Sequence, residues 1–209
     1  VGLLPLRVLL DAADHYIRKQ ERSLGISEAE KVKIAVKSLG LDDLAPFDPA
    51  KRVIEYIISE EGNSPLIHMS LTQFADTTAS EAPAPGGGSI SAYAGALGAS
   101  LATMVANLSA HKRGWDDRWE EFSVHAEKGL ALQNQLMALV DADTQAFDAI
   151  MAAYGMPKGT DDQKAKRHQA IQDATRNAID IPIKVAQVAY DGLSLAKAMA
   201  SDGNPNSVT

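Results

Sequence analysis

Apolar positions along this chain recur at the three- and four-residue spacing of helices and hardly anywhere in the alternation of strands. Leu6, Leu9, Leu10, Ala13 and Ile17 mark a first helix, entered from an extended Val1–Pro5 piece. Ser27-Glu-Ala-Glu30 is a capping box ahead of Val32, Ile34, Ala35, Val36 and Leu39, and Gly40 closes that helix. Asp48 and Pro49 start a short helix whose buried side is expected to be Val53, Ile54, Ile57 and Ile58. Glu60-Glu-Gly-Asn-Ser-Pro65 reads as a linker and the best domain boundary. Leu71 and Phe74 then fall on a short helix within 66–78.

The pattern changes at Ala82-Pro-Ala-Pro-Gly-Gly-Gly-Ser89. Prolines fix φ and withhold a donor, glycines let another group approach the backbone, and Ser89 is an N-cap candidate. The helix it opens, Ser89 to about Ala110, is apolar nearly all round and is therefore expected at the centre of the fold. Its longest apolar run, Ala96–Leu108, is too short to span a bilayer. Ala92, Gly95, Ala96, Gly98 and Ala99 would admit a close neighbour, from this chain or a second subunit. A long helix from about Trp115 to Tyr154 follows, broken by Gly155-Met-Pro-Lys-Gly159. Thr160-Asp-Asp-Gln163 is another capping box. Asp180-Ile-Pro182 is expected to interrupt the next helix and start a last one, Ile183–Met199.

The long helix carries the sharpest chemical signal. Turning it about 100° per residue from Val140 puts Leu136, Met137, Leu139, Phe147, Ile150 and Met151 in one arc. Asp143 lands inside that arc; Asp141 and Asp148 fall outside it or at its edge, and Asp141 is expected to be solvated. A carboxylate on a buried stripe must be paired, hydrogen-bonded or protonated, which suits either a structural bond or general acid–base work. The glycine loop, ending at a helix N-terminus, suits an anion or a carbonyl. Asn107 is the polar exception near that helix's end, and Lys112 and Arg113 follow where positive charge favours the helix dipole. Trp115 and Trp119 share a helix face and read as core or interface.

Composition narrows the classes. A net charge of −7 argues against nucleic-acid and membrane-surface binding, and the absence of cysteine excludes disulfides and thiol catalysis. No signal-peptide pattern is visible, so a cytoplasmic location is expected.

Phe74, Pro83-Ala-Pro-Gly-Gly-Gly-Ser89, Gly95-Ala-Leu-Gly-Ala99, Met104-Val-Ala-Asn107 and Val140-Asp-Ala-Asp143 together resemble the formiminotetrahydrofolate cyclodeaminase family. So do Ala146-Phe147, Met156-Pro-Lys158, Arg167 and Ile181-Pro182. Val1-Gly-Leu-Leu-Pro5, Leu9-Leu-Asp-Ala-Ala13 and Leu39-Gly-Leu41 resemble the C-terminal end of a formiminotransferase, in the order of the fused enzymes. The expected organisation is residues 1–60 from an α/β transferase domain, a linker over 61–70, and an all-α antiparallel or orthogonal helical bundle over 71–209 with a long central helix. The chain is expected to be a fragment of a longer protein, without the transferase catalytic region.

The resemblance implies closure of 5-formiminotetrahydrofolate to 5,10-methenyltetrahydrofolate with loss of ammonia, in histidine degradation and one-carbon metabolism. It places the active-site aspartate on Asp143. It puts Pro85, Gly86, Gly87, Gly88, Ser89 and Asn107 against the folate, with Lys112, Arg113, Lys158 and Arg167 as candidates for its glutamate tail. Tetrahydrofolate, polyglutamylated, enters as the one-carbon-carrying substrate; no metal is implied. A homo-oligomer is expected, with no nucleic acid and no membrane as partner. Two alternatives stand beside this: a methenyltetrahydrofolate cyclohydrolase on the same helices, and a folate-binding assembly module without turnover.

Overall fold

The computed structural model describes residues 2–58 and 65–207. Its helices are α1 (Leu6–Lys19), α2 (Glu28–Ser38), α3 (Pro49–Arg52), α4 (Ile54–Ile58), α5 (Leu71–Thr78), α6 (Gly87–Ala110), α7 (Trp119–Gly155) and α8 (Asp161–Asp202). Single 3-10 turns at Asp116–Arg118 and Pro205–Ser207 and one parallel bridge, Leu4 with Val53, complete the regular structure among the described residues. The all-helical expectation holds. Of the linker expected over 61–70, residues 61–64 lie outside the described residues.

The contacts divide the chain into two compact units. One comprises Val1–Asn63, Ser100–Ala131 and Leu195–Thr209; the other comprises Ser64–Ala99 and Leu132–Ser194.

In the first unit, Leu9, Ala13 and Ile17 of α1 pack with Val32, Ala35 and Val36 of α2 and with Val53. The Ser27 hydroxyl accepts the Glu30 N–H at 3.3 Å, and Gly40 takes φ +64° to end α2. Asp48 accepts the Ala50 N–H at 3.1 Å with Pro49 in the first helical position. The helix expected beyond it is split, because Val53 turns extended to pair with Leu4. Leu4 donates its N–H to Arg52 and accepts that of Ile54, each at 2.9 Å. Ile57 and Ile58 are exposed as a result, against the expectation that they are buried. Gly25 has no room for a side chain, since a Cβ there would sit 2.3 Å from the Ala126 carbonyl carbon. Trp115 stacks on Phe122 with the rings 12° apart, but it is half-buried and precedes α7, which starts at Trp119 rather than near Trp115 as expected.

In the second unit, α5 is capped reciprocally by Ser70 and Gln73. Ala92, Ala96 and Ala99 of α6 are buried, as are Leu136, Leu139 and Val140 of α7 and Val185 and Val188 of α8. Small residues do permit the close approach that the sequence suggests: a Cβ at Gly95 would meet both Leu136 δ-carbons at 3.3 Å. Thr160 and Gln163 form the expected box, each accepting the other's N–H at 3.2 Å.

Three further expectations are corrected. α8 runs through Pro182 without interruption. A proline there removes a single helical hydrogen bond, and Val185 and Val188, buried just beyond it, hold the next turns in place. α6 begins at Gly87 rather than after Ser89, and it is not enclosed. Leu97, Leu101, Met104 and Leu108 are each about half exposed, so an all-round apolar composition here coexists with burial of one alanine-rich face. Counted over its full 24 residues, α6 is also long and apolar enough to cross a membrane, a test that the core helices of globular domains also pass.

Candidate active site

The prolines and glycines before α6 set the site. Pro85 follows a cis peptide bond and is buried, and the Gly86 carbonyl accepts the Ile90 N–H at 3.1 Å to start the helix. The first N–H groups of a helix have no partner within it. That of Ser89, the third residue of α6, donates instead to Asp143 Oδ2 at 3.0 Å. Ser89 is therefore not the N-cap. Fully buried, it places its hydroxyl 2.8 Å from the Val140 carbonyl and 3.2 Å from the same Asp143 oxygen. The anion held at this helix N-terminus is supplied by the chain itself.

Asp143 Oδ1 accepts no hydrogen bond among the described residues. It lies against Gly88, where a Cβ would sit 2.1 Å from it. Gly88 thus makes room for the carboxylate, whereas Gly87 has open space around it. The carboxyl group faces a cavity of about 220 Å³ lined also by Pro83, Gly86, Thr144 and Phe147. Thr144 Oγ1 is 3.4 Å from the Ser89 hydroxyl. One carboxylate oxygen is thus tied down and the other is bare at the edge of a cavity, open to a group held there.

Asp141 departs from expectation. It is 3% exposed, and its carboxylate accepts the N–H groups of Leu66 and Ile67 at 2.9 and 3.3 Å. The helical wheel places it outside the arc because a wheel ranks apolar neighbours and cannot see a separate strand of chain delivering donors. Asp143 is half-buried rather than enclosed.

Within the second unit, Gly86, Gly88 and Ser89 of the loop meet Asp143; the other sequence candidates have the following surroundings. Asn107, in the first unit, donates its side-chain amide to the Gly25 carbonyl at 2.9 Å. Lys112 and Arg113 belong to the same unit, and the Lys112 ammonium sits 3.8 Å over the Trp115 ring. Lys158 is exposed. Arg167 donates from Nε and Nη2 to the Tyr154 carbonyl at 3.3 and 3.2 Å, satisfying an end group of α7. Among the described residues no cluster of three His, Asp or Glu is arranged to hold a metal ion.

A family model described as formiminotransferase-cyclodeaminase matches residues 70–209, and one for the formiminotransferase domain matches residues 1–59. The chain is similar to formimidoyltransferase-cyclodeaminase of Rattus norvegicus, with 38% identity over 205 residues, covering 98% of this chain and 38% of the relative. It is also similar to methenyltetrahydrofolate cyclohydrolase of Methylorubrum extorquens, with 39% identity over 140 residues and 67% of each covered. A crystal structure of formiminotetrahydrofolate cyclodeaminase from Thermotoga maritima superposes with TM-score 0.57 at 31% identity, over 67% of this chain and 66% of that one. The chain thus spans well under half the length of the fused relatives it matches.

Proposed function

Because the chain belongs to the formiminotransferase-cyclodeaminase family, we propose that its Asp143 site closes 5-formiminotetrahydrofolate to 5,10-methenyltetrahydrofolate with release of ammonia. The observation that carries this is Asp143 itself, held through Oδ2 by Ser89 with Oδ1 left bare beside a cavity. N10 attacks the formimino carbon, forming a C–N10 bond and a tetrahedral centre. The formimino group enters as its cation, –CH=NH2+, so attack turns its nitrogen into –NH2; Asp143 takes the N10 proton and gives it to that nitrogen, making –NH3+. That nitrogen leaves as ammonia, and the remaining electron pairs on N5 and N10 restore the C=N character of the methenyl bridge. Attacking and leaving groups belong to one molecule, so the protein's part is to hold a near-attack geometry and move the proton.

The proposal extends to formimino groups derived from histidine and to self-association, which the outward-facing leucines of α6 support. Solution mass tests the latter, and a monomer at working concentration refutes it. The activity is tested by giving the chain 5-formiminotetrahydrofolate and following methenyl absorbance and ammonia together. Equal yields are expected; binding without ammonia refutes the reading.

The similarity to a methenyltetrahydrofolate cyclohydrolase favours one second reading, in which the same carboxylate activates water against the methenyl carbon. Supplying methenyltetrahydrofolate separates the two: its rapid enzyme-dependent hydrolysis, with no ammonia formed from the formimino compound, selects the cyclohydrolase.

A further inference from the structure

Asp143 sits midway along a longer feature. Met137 and Val140 of α7 line a second cavity, while Asp143, Thr144, Phe147 and Ile150 line the first. Steps of three and four residues keep all six on one face of the helix. At about 1.5 Å per residue, that face runs about 20 Å from Met137 to Ile150.

The far wall of the second cavity is Leu66 and Ile67, Phe74 of α5 and Tyr93 of α6. Tyr93 lies one turn beyond Ser89, the residue that grips Asp143, and its ring meets that of Phe74 at 5.5 Å and 54°. The Leu66–Ile67 wall is not loose, because both N–H groups are bound by the buried Asp141 carboxylate. Asp141 is thereby a positioning residue for this cavity.

The two cavities differ in size and chemistry. The one at the glycine loop, about 220 Å³, offers a carboxyl group, a hydroxyl and loop backbone. The other, about 80 Å³, is walled by aliphatic, aromatic and methionine side chains. A bicyclic ring rich in hydrogen-bonding groups needs the former. A single aryl ring is the group that the latter matches, through edge-to-face aromatic and sulfur–aromatic contacts.

We infer that the Phe74–Tyr93–Met137 cavity is an aryl subsite, which takes the p-aminobenzoyl ring of a folate while the pterin occupies the cavity at the glycine loop. N5, at the edge of the pterin ring, and N10, in the link between the two rings, then fall at Asp143. This assignment rests on the folate reading above.

The test uses the two halves of the ligand separately, p-aminobenzoylglutamate and 6-methyltetrahydropterin, each titrated into the chain by ligand-detected NMR. Leu71 is 71% exposed and lines the second cavity, so Leu71→Trp crowds it without touching the core. Tyr93→Ala removes an aromatic wall. Each substitution is expected to weaken p-aminobenzoylglutamate about tenfold and to leave the pterin within about twofold, as loss of a well-packed aromatic contact implies. Unchanged p-aminobenzoylglutamate binding, or equal weakening of both probes, overturns the subsite. If the wild-type chain still releases ammonia in that case, the folate reading survives alone. Binding of neither probe to the wild-type chain overturns the folate reading and the subsite together.

Discussion

Replacing Gly88 with alanine isolates the geometry on which the site depends. Gly88 is the second residue of α6 and has an ordinary helical backbone, so alanine suits the helix better than glycine, by up to about 1 kcal/mol. The added Cβ would lie 2.1 Å from Asp143 Oδ1, 2.4 Å from Cγ and 2.7 Å from Oδ2. No carbon tolerates such contacts. Ordinary van der Waals contact begins near 3.4 Å, so the carboxylate must retreat by about 1.3 Å. A side-chain end can do so by rotation, without the backbone moving. The retreat breaks the Ser89 N–H bond to Oδ2, a charge-assisted bond of about 2 kcal/mol, and part of this is regained from helix propensity and water. Stability should therefore change by less than about 2 kcal/mol. A displacement of about 1 Å in a catalytic group costs on the order of 100-fold in rate. Thermal melting and steady-state ring closure, measured on the same preparation, check both parts. Turnover within a few-fold of wild type would refute the placement of the carboxylate; loss of the folded state would refute its freedom to rotate away.

Removing the buried acceptor by Asp141→Ala leaves the Leu66 and Ile67 donors unpaired and should lower stability by about 3 kcal/mol in urea unfolding, whereas Asp143→Asn should lower it by less than about 1 kcal/mol. Equal costs would contradict the division between a structural and a reactive carboxylate. Asn107→Ala should cost about 1 kcal/mol through the lost bond to Gly25 and leave KM unchanged; a raised KM would return Asn107 to the substrate. Partial desolvation, with the Arg22 guanidinium nearby, holds the His111 imidazole below its ordinary value, and its Nε2 accepts the Ser23 N–H at 3.2 Å. The unfolded chain takes up that proton near pH 6.5 and the folded chain only at lower pH. The stability due to neutral His111 is thus full above about pH 6.5 and is lost as pH falls below it. The wild-type urea midpoint should drop relative to that of His111→Gln as pH falls from about 7 to 5, and parallel curves would refute this.

What could be read from residues alone follows the range of the forces involved. Caps and breaks near a helix end are local, so Ser27, Asp48, Thr160 and Gly40 did what their positions foretold. Pro182 misleads because a single proline is outweighed by the packing of the turns that follow it. The alanine face of α6 was visible in its spacing, but which of its apolar faces stays exposed depends on what packs against it. Asp143 was legible through its helical phase and the family likeness, yet its partner was not. Ser89 reads as a cap, and only the fold shows its N–H and hydroxyl turned onto a carboxylate 54 residues away. Asp141 escapes the sequence pattern for the same reason, since its donors at Leu66 and Ile67 arrive from 75 and 74 residues earlier. A second acidic residue two positions from the first was the available signal.

Asp143 is proposed to move the proton in ring closure. Single-turnover formation of the methenyl product, with excess enzyme and 5-formiminotetrahydrofolate, compares wild type with Asp143→Asn most directly. Retained binding is expected, with product formation slowed on the order of 100-fold or more. Closure by the asparagine variant at a near-normal rate would contradict the account.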